Sequence, residues 1–345
     1  MKARHPFDGV RVLDLAGFIA GGYCSSLLAD MGAQVVKLES LEGDPFRALL
    51  GAFQGWNRGK RGIVVNLRTQ EGRGILERLA RRSDVVVENF RSGVAERLGA
   101  DYESLRRLNP ALIYCSVAGY GRDGPYADRP AFDPIMQARS GAMAAQGGPG
   151  QDPVFLKVAV SDYSAALLAA WGVAMALYAR RRAESIEAAR TGQGQPFDVA
   201  QGQRVDISLL NAGIAIQSAD FLQYPGQPPP RAHPSPLGPS ALRRLYRAKD
   251  GWLFLDAGSE DTWAGLGRAL LGEAAQDPRF VSVADRERHD AELTVLLENA
   301  VARLSSAECI AFLEREGVPC GQVNYLKNLP AHPQVRHQRL LVRQR

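Results

Sequence analysis

Gly9–Glu39 reads GVRVLDLAGFIAGGYCSSLLADMGAQVVKLE, and the succession of residue types in it decides the fold. Val10, Val12, Leu13 and Leu15 make a short β-rich run. Gly17, Gly21 and Gly22 then punctuate a small-residue turn, and Leu27, Leu28 and Met31 recur at helical spacing until Gly32 stops the helix. Gln34 to Leu38 re-enters a strand. This order is that of a βαβ unit. Glycines in such a turn serve close helix–strand packing or a phosphate cradle, and both readings stay open.

Working outward, the rhythm repeats: a strand over Gly62 to Leu67, a helix from Gln70 to Arg82, the run Asp84 to Glu88, a helix reaching about Leu108, and a strand over Ala111 to Val117. Alternating strands and helices predict a large, doubly wound, mostly parallel (Rossmann-like) α/β domain, with ligands gathering at the C-terminal strand ends. Residues 120–150 are rich in Gly, Pro and Asp and read as a site-forming loop region. Lys157 to Val160 reads as a short strand, and Asp162 stands where a helix of roughly Tyr163 to Arg182 begins. The charged, Gly- and Gln-rich stretch 181–203 reads as a mobile surface excursion, and Val205 to Leu210 as a strand entering a helix. QYPGQPPPRAHPSPLGPS, Gln223 to Ser240, is a Pro-dense linker. Beyond it, Leu245 to Leu255 resembles a hairpin turning at Lys249-Asp250-Gly251. Helices over Asp261 to Leu271, Asp290 to Arg303 and Ala307 to Glu316 follow, a small α+β domain. The expected plan is a large domain over 1–222, a linker over 223–240, a small domain over 241–328 and a return segment over 329–345.

Composition narrows the function classes. Hydrophobic residues make up 46% of the 345 and charged residues 23%, the balance of a globular protein. The formal charge of +5 is spread along the chain without a basic, aromatic-laced stripe, so no nucleic-acid partner is expected. Cys24, Cys115, Cys309 and Cys320 contain no C-x-x-C pair and read as reduced thiols. The first residues lack a signal-peptide pattern, and no run approaches the roughly 18 uninterrupted apolar residues of a membrane span. A cytoplasmic protein with no membrane partner is the expectation. G-x-G-x-x-G, Walker, H-E-x-x-H, H-x-E and G-x-S-x-G patterns do not occur, so nicotinamide, ATP, metal and serine-hydrolase chemistry find no support. Of the five histidines, only His233, between linker prolines, could enter a cleft.

Asp162, at a strand-to-helix junction, has two readings. It is a helix cap or first-turn acid, worth about 0.3–1 kcal/mol, or it is a reactive carboxylate. Pattern alone favours the cap.

The stretches GVRVLDLAGFIAGGYCSSLLADMGAQVVKLESLEGDPFR, NRGKRGIVVNLRTQEGR, SDVVVENFRSGVAERLG, LNPALIYCSVAGYGRDGPYADRPAFD, KVAVSDYSAAL, GQRVDISLL and GVPCGQVN, in this order, resemble the class III CoA transferases. That family includes formyl-CoA transferase and, as a relative, alpha-methylacyl-CoA racemase. The resemblance implies that the acid after the strand of KVAVSD, Asp162, is the nucleophile, and its place at a helix N-terminus is expected to hold it ionised. It implies a CoA site at Phe18, Ile19 and Ala20, at Arg68, at Asn89 and Phe90, and at Arg97, the two arginines facing phosphates. Without it, Arg68 and Arg97 read as solvated helix residues, and Lys37 and Lys60 rank as added positive charge rather than direct contacts. CoA enters as a thioester substrate, with no cofactor and no metal. The implied reaction moves CoA from an acyl-CoA donor to a carboxylic acid acceptor through an aspartyl mixed anhydride and an aspartyl-CoA thioester. The implied assembly is an interlocked homodimer.

Departures from the family pattern are informative. Racemising relatives carry a histidine beside the aspartate of the loop segment, where this chain reads Pro130-Ala131-Phe132-Asp133, so one half of a two-base exchange is missing. Transfer is thereby favoured over a racemase or isomerase. Pro236-Leu237-Gly238-Pro239-Ser240 falls where formyl-CoA transferase has its glycine-rich covering loop. The return segment 329–345 reads as truncated against the family, which leaves a catalytically silent CoA-binding partner subunit as the further alternative.

Overall fold

In the computed structural model, residues 5–148, 150–191, 201–221, 224–226 and 235–341 are described. The chain forms two compact units, one from residues 1–146 with 153–228 and the other from 147–152 with 229–345. His233, half of the Pro-dense linker and residues 192–200 of the expected excursion lie outside the described residues.

The first unit is built on six strands: β1 (Arg11–Asp14), β2 (Gln34–Glu39), β3 (Lys60–Val64), β4 (Val85–Glu88), β5 (Ile113–Ala118) and β6 (Arg204–Ser208). They run parallel in the order β3-β2-β1-β4-β5-β6, so the winding direction reverses between β1 and β4. The central strands are apolar on both faces because both faces are covered. Along β4, Val85 and Val87 point into one core with Val12, Ile113 and Cys115, while Val86 points into the other with Leu13, Leu38 and Tyr114. β3, at the edge, carries the exposed Arg61 and is the most exposed strand, as an open edge requires.

The helices are α1 (Ala20–Asp30), α2 (Leu50–Asn57), α3 (Gln70–Ala80), α4 (Val94–Leu98), α5 (Tyr102–Leu108), α6 (Asp133–Arg139), α7 (Ala142–Gly147), α8 (Val160–Thr191) and α9 (Leu209–Ala215). The N-terminus of α3 is capped by Thr69, whose hydroxyl accepts from Gly72 N. Gly21 and Gly22, expected in the turn, instead lie in the first turn of α1, and the close-packing role of glycine is visible at Gly21, where a Cβ would stand 2.4 Å from that of Ala16. One expected element does not form. Residues 157–159 are irregular, because Gln137 on α6 takes the hydrogen bonds of Leu156 and Val158 that a strand would give to a neighbour.

The 24-residue segment Val160–Ala183 of α8 has the length and apolarity of a membrane span. Its inner face packs on α1, α9, β5 and β6, with Ala165, Ala166, Ala169 and Val173 fully buried.

The second unit holds an antiparallel sheet of β7 (Arg243–Arg247), β8 (Trp252–Asp256) and β9 (Cys320–Gln322). Helices α10 (Glu260–Leu266), α11 (Val283–Arg288), α12 (Asp290–Val301) and α13 (Ser306–Arg315) surround a core that includes Tyr246, Trp263, Phe280 and Leu297. Ser305 and Glu308 form a capping box on α13. The short α14 (Pro333–His337) follows.

Candidate active site

At the C-terminal ends of β1, β4 and β5, beside the winding reversal, lies a cavity of about 440 Å³. Open parallel sheets gather ligands at this position. The turn after β1 supplies one part of its wall and is clamped from both sides. Asp14 Oδ1 accepts from Ala16 N at 2.9 Å and Lys37 Nζ donates to Ala16 O at 2.5 Å. Across the strand boundary, Asn89 Oδ1 accepts from Gly17 N at 2.9 Å while its Nδ2 donates to Gly17 O at 2.8 Å. These bonds hold Phe18 at φ +57°, a left-handed conformation uncommon for a bulky residue. Its ring meets Phe46 and Phe132 edge-on, at centroid distances of 5.7 and 6.0 Å.

Behind the turn sits a buried charge cluster. Lys60 Nζ lies 2.8 Å from Asp14 Oδ2, and Lys37 Nζ lies 3.0 Å from Asp44 Oδ2. All four side chains are buried. Burial works to raise the Asp14 carboxyl, but the Lys60 and Lys37 ammonium groups prevail and hold it below its usual range. Lys37 and Lys60 are therefore spent on carboxylates and backbone carbonyls, supplying the turn with shape rather than the cavity with charge.

Asp162 lines the cavity from the first turn of α8. It is not the residue that caps this helix. Asp133, buried on α6, accepts from Ser161 N at 2.8 Å and from Asp162 N at 3.2 Å through one oxygen, while Gln137 donates to its other oxygen. Among the described residues no hydrogen bond engages the Asp162 carboxyl oxygens. Burial, with the nearby Asp133 charge as the second cause, pushes its pKa from 3.8 up to about 7. The expected ionisation by the helix dipole is thus overridden, because desolvation and a like charge outweigh a partial charge of about half a unit at the helix end.

This shift has a stability consequence. An acid whose folded pKa is raised costs the fold nothing below its unfolded value. The cost grows as pH rises from 3.8 and is complete above about 7. Asp162→Asn is expected to raise the urea midpoint at pH 8 by the equivalent of about 2 kcal/mol, discounted for the carboxyl's partial contact with solvent. At pH 4 the gain should vanish, and equal gains at both pH values would contradict the assigned cause.

The remaining residues singled out from the sequence divide into two sets. Phe18, Ile19, Ala20, Asn89 and Phe90 line the cavity together with Asp162. Arg68 and Arg97 do not. Arg68 is exposed beyond β3, its backbone N–H donating to Asn66 Oδ1 at 3.1 Å. Arg97 is exposed on α4, with Nη1 3.8 Å from a Cβ position at the lining residue Gly93. Sequence reading missed Asp133 as the helix cap, and it missed Lys157, Arg91, Arg122, Arg129 and Glu88 as cavity residues. Glu88 is buried at the end of β4, and burial raises its pKa despite hydrogen bonds from Ser116 and Phe90 N. A charged residue closing an otherwise apolar central strand, as in VVVE, was the available signal.

Residues 7–345 match the model of CoA-transferase family III. The chain belongs to this family. It is 35% identical to the succinate–glutarate CoA-transferase of Agrobacterium fabrum, over 98% of this chain and 84% of that protein. It is 30% identical to the human succinyl-CoA:glutarate CoA-transferase, over 98% of this chain and 76% of that protein. Among solved structures, a CAIB/BAIF family protein from Brucella suis superposes with a TM-score of 0.83 at 34% identity, covering 97% of this chain and 88% of that one. Family III membership makes CoA transfer the class of reaction, and the resemblance read from the sequence motifs holds across nearly the whole chain.

Proposed function

We propose that this CoA transferase works through covalent intermediates on Asp162. The Asp162 carboxylate attacks the donor thioester carbonyl and expels CoA thiolate, leaving a mixed anhydride. The thiolate then attacks the aspartyl carbonyl, releases the donor acid as its carboxylate and leaves an aspartyl-CoA thioester. The acceptor carboxylate repeats these two steps in reverse order, and Asp162 is regenerated without net proton transfer. The observation carrying this reading is a cavity-facing carboxyl whose helix is capped by another residue and whose oxygens are uncommitted. A pKa of about 7 leaves a large anionic fraction at neutral pH. That anion is poorly solvated, which favours attack on carbon.

The edge-on rings of Phe18 and Phe132 form an apolar wall suited to keeping water from an anhydride. Phe132 also argues against racemisation, because it occupies the place of the second base and has no proton to exchange. Phe18, Ile19, Ala20, Asn89 and Phe90 are assigned to the thioester end of CoA, with Asn89 acting through the turn it clamps. Arg97, beside Gly93, is assigned to a CoA phosphate. Arg68 is retained only as a more distant phosphate contact.

Mass spectrometry of the intact protein after mixing with an acyl-CoA tests the reading. A hydroxylamine-sensitive adduct on the Asp162 peptide is expected, and turnover without any adduct at that residue would sink it.

A homodimer belongs to the same proposal. Leu167, Trp171, Met175 and Tyr178 recur on one outward face of α8 and are 55%, 64%, 45% and 62% exposed, a stripe that a second copy would cover. The wild type should run as a dimer on sizing and Trp171→Glu should shift it toward monomer. A wild-type monomer would remove the dimer from the proposal.

A further inference from the structure

Lys157 lines the same cavity as Asp162, five positions earlier in the chain. Its backbone is fixed on both sides by one fully buried residue. Gln137 Nε2 donates to Leu156 O at 3.0 Å and to Val158 O at 3.2 Å, and Gln137 Oε1 accepts from Leu156 N at 3.2 Å. The same Gln137 donates to Asp133, which in turn holds the backbone of Asp162. The root of the Lys157 side chain and the nucleophile are thus both referenced to α6.

Two of the three other cavity cations are otherwise engaged. Arg122 pairs with Glu96 at 2.8 Å, and the Arg129 guanidinium stacks on Tyr126 at 4.0 Å. Arg91 directly follows the Asn89-Phe90 pair assigned above to CoA. Among the described residues nothing engages the Lys157 ammonium, and its neighbours on the lining include the apolar Phe155 and Ala159. Lys157 is exposed on this lining, so its ammonium is open to an anionic group of a bound substrate, and an acid with one carboxylate, already at Asp162, has none to offer it.

We propose that Lys157 holds the second carboxylate of a dicarboxylic acid whose first carboxylate reacts at Asp162. Lys157 is then a specificity-determining residue, and the proposal rests on the Asp162 reading given above. Phe18 and Phe132 would contact the methylenes between the two carboxylates, while the ammonium selects for the far end.

Lys157→Met keeps the methylene stem and removes the charge. With succinate and butyrate as matched acceptors for one acyl-CoA donor, the wild type should favour succinate. In Lys157→Met, kcat/KM for succinate should fall about 10- to 100-fold through KM, as expected for losing a charge-assisted bond. Butyrate and the donor's KM should stay unchanged, and Lys157→Arg should restore much of the preference. Equal losses for both acids, or a raised KM for the donor alone, would overturn the proposal, the latter assigning the ammonium to a CoA phosphate. Calorimetric titration of succinate reads the same contact without turnover. Succinate binding by the wild type but not by Lys157→Met, with no transfer in either, would defeat the Asp162 mechanism and leave the anchor standing. Equal binding, or none in either protein, would defeat the anchor.

Discussion

Asp162→Ala is expected to lower transfer by at least about 1,000-fold while leaving the affinity for CoA within a few-fold of wild type. Loss of a covalent nucleophile removes the reaction path itself, so the effect should approach the largest seen for catalytic side chains. The fold should survive, since the cap of α8 is Asp133 and its bonds go to the Ser161 and Asp162 backbone, which the substitution retains. Helical circular dichroism and a CoA titration check the protein, and acyl exchange between labelled free acid and acyl-CoA checks the chemistry. Exchange at a tenth of the wild-type rate would show that another group carries the acyl unit.

The second large effect concerns stability. Lys60→Met should destabilise the fold by about 3 kcal/mol, read as a lowered urea midpoint, because it leaves Asp14 buried beside only one remaining cation. Asp14 is held below its usual pKa, so its contribution is present above about 3.8 and is lost as pH falls through the folded value. The deficit of the variant should therefore shrink under acid conditions. Adding Asp14→Asn to Lys60→Met should recover part of the loss, since a neutral amide tolerates burial far better than an unpaired carboxylate. A double variant less stable than Lys60→Met would show that the hydrogen bond from the Ser25 hydroxyl, whose acceptor oxygen the amide replaces with NH2, outweighs the relief of the unpaired charge. By contrast, breaking the exposed Arg106–Glu103 pair should change stability little.

The parallel sheet was legible because its signals are local. Val85-Val86-Val87 and the Gly9–Glu39 unit announce strands buried on both faces, and the observed β1, α1 and β2 fall within a residue or two of the run boundaries. The hairpin at Lys249-Asp250-Gly251 was legible for the same reason. KVAV at 157–160 misled because its alternation says nothing about Gln137, some 20 residues earlier in sequence, which takes the backbone bonds. β9 escaped notice because three residues around a glycine carry too little pattern to mark a strand. At the site, Asp162 was visible through motif likeness alone. Its raised pKa comes first from burial, and its release from capping depends on Asp133, a contact across 28 intervening positions in the chain. Lys37 and Lys60 looked like available charge because sequence does not show that Asp14 and Asp44 wait for them in the interior.

The transfer of the capping task from Asp162 to Asp133 reaches beyond this molecule. Where one carboxylate both starts a helix and performs chemistry, losing it injures the scaffold, and selection removes the variant on two counts. On the proposed mechanism the two tasks fall on separate residues, so a single codon change at position 162 is expected to yield a folded, ligand-competent and inert chain. Silent descendants of such a protein are one step away, and position 162 is where a reader of related sequences should look to tell them apart.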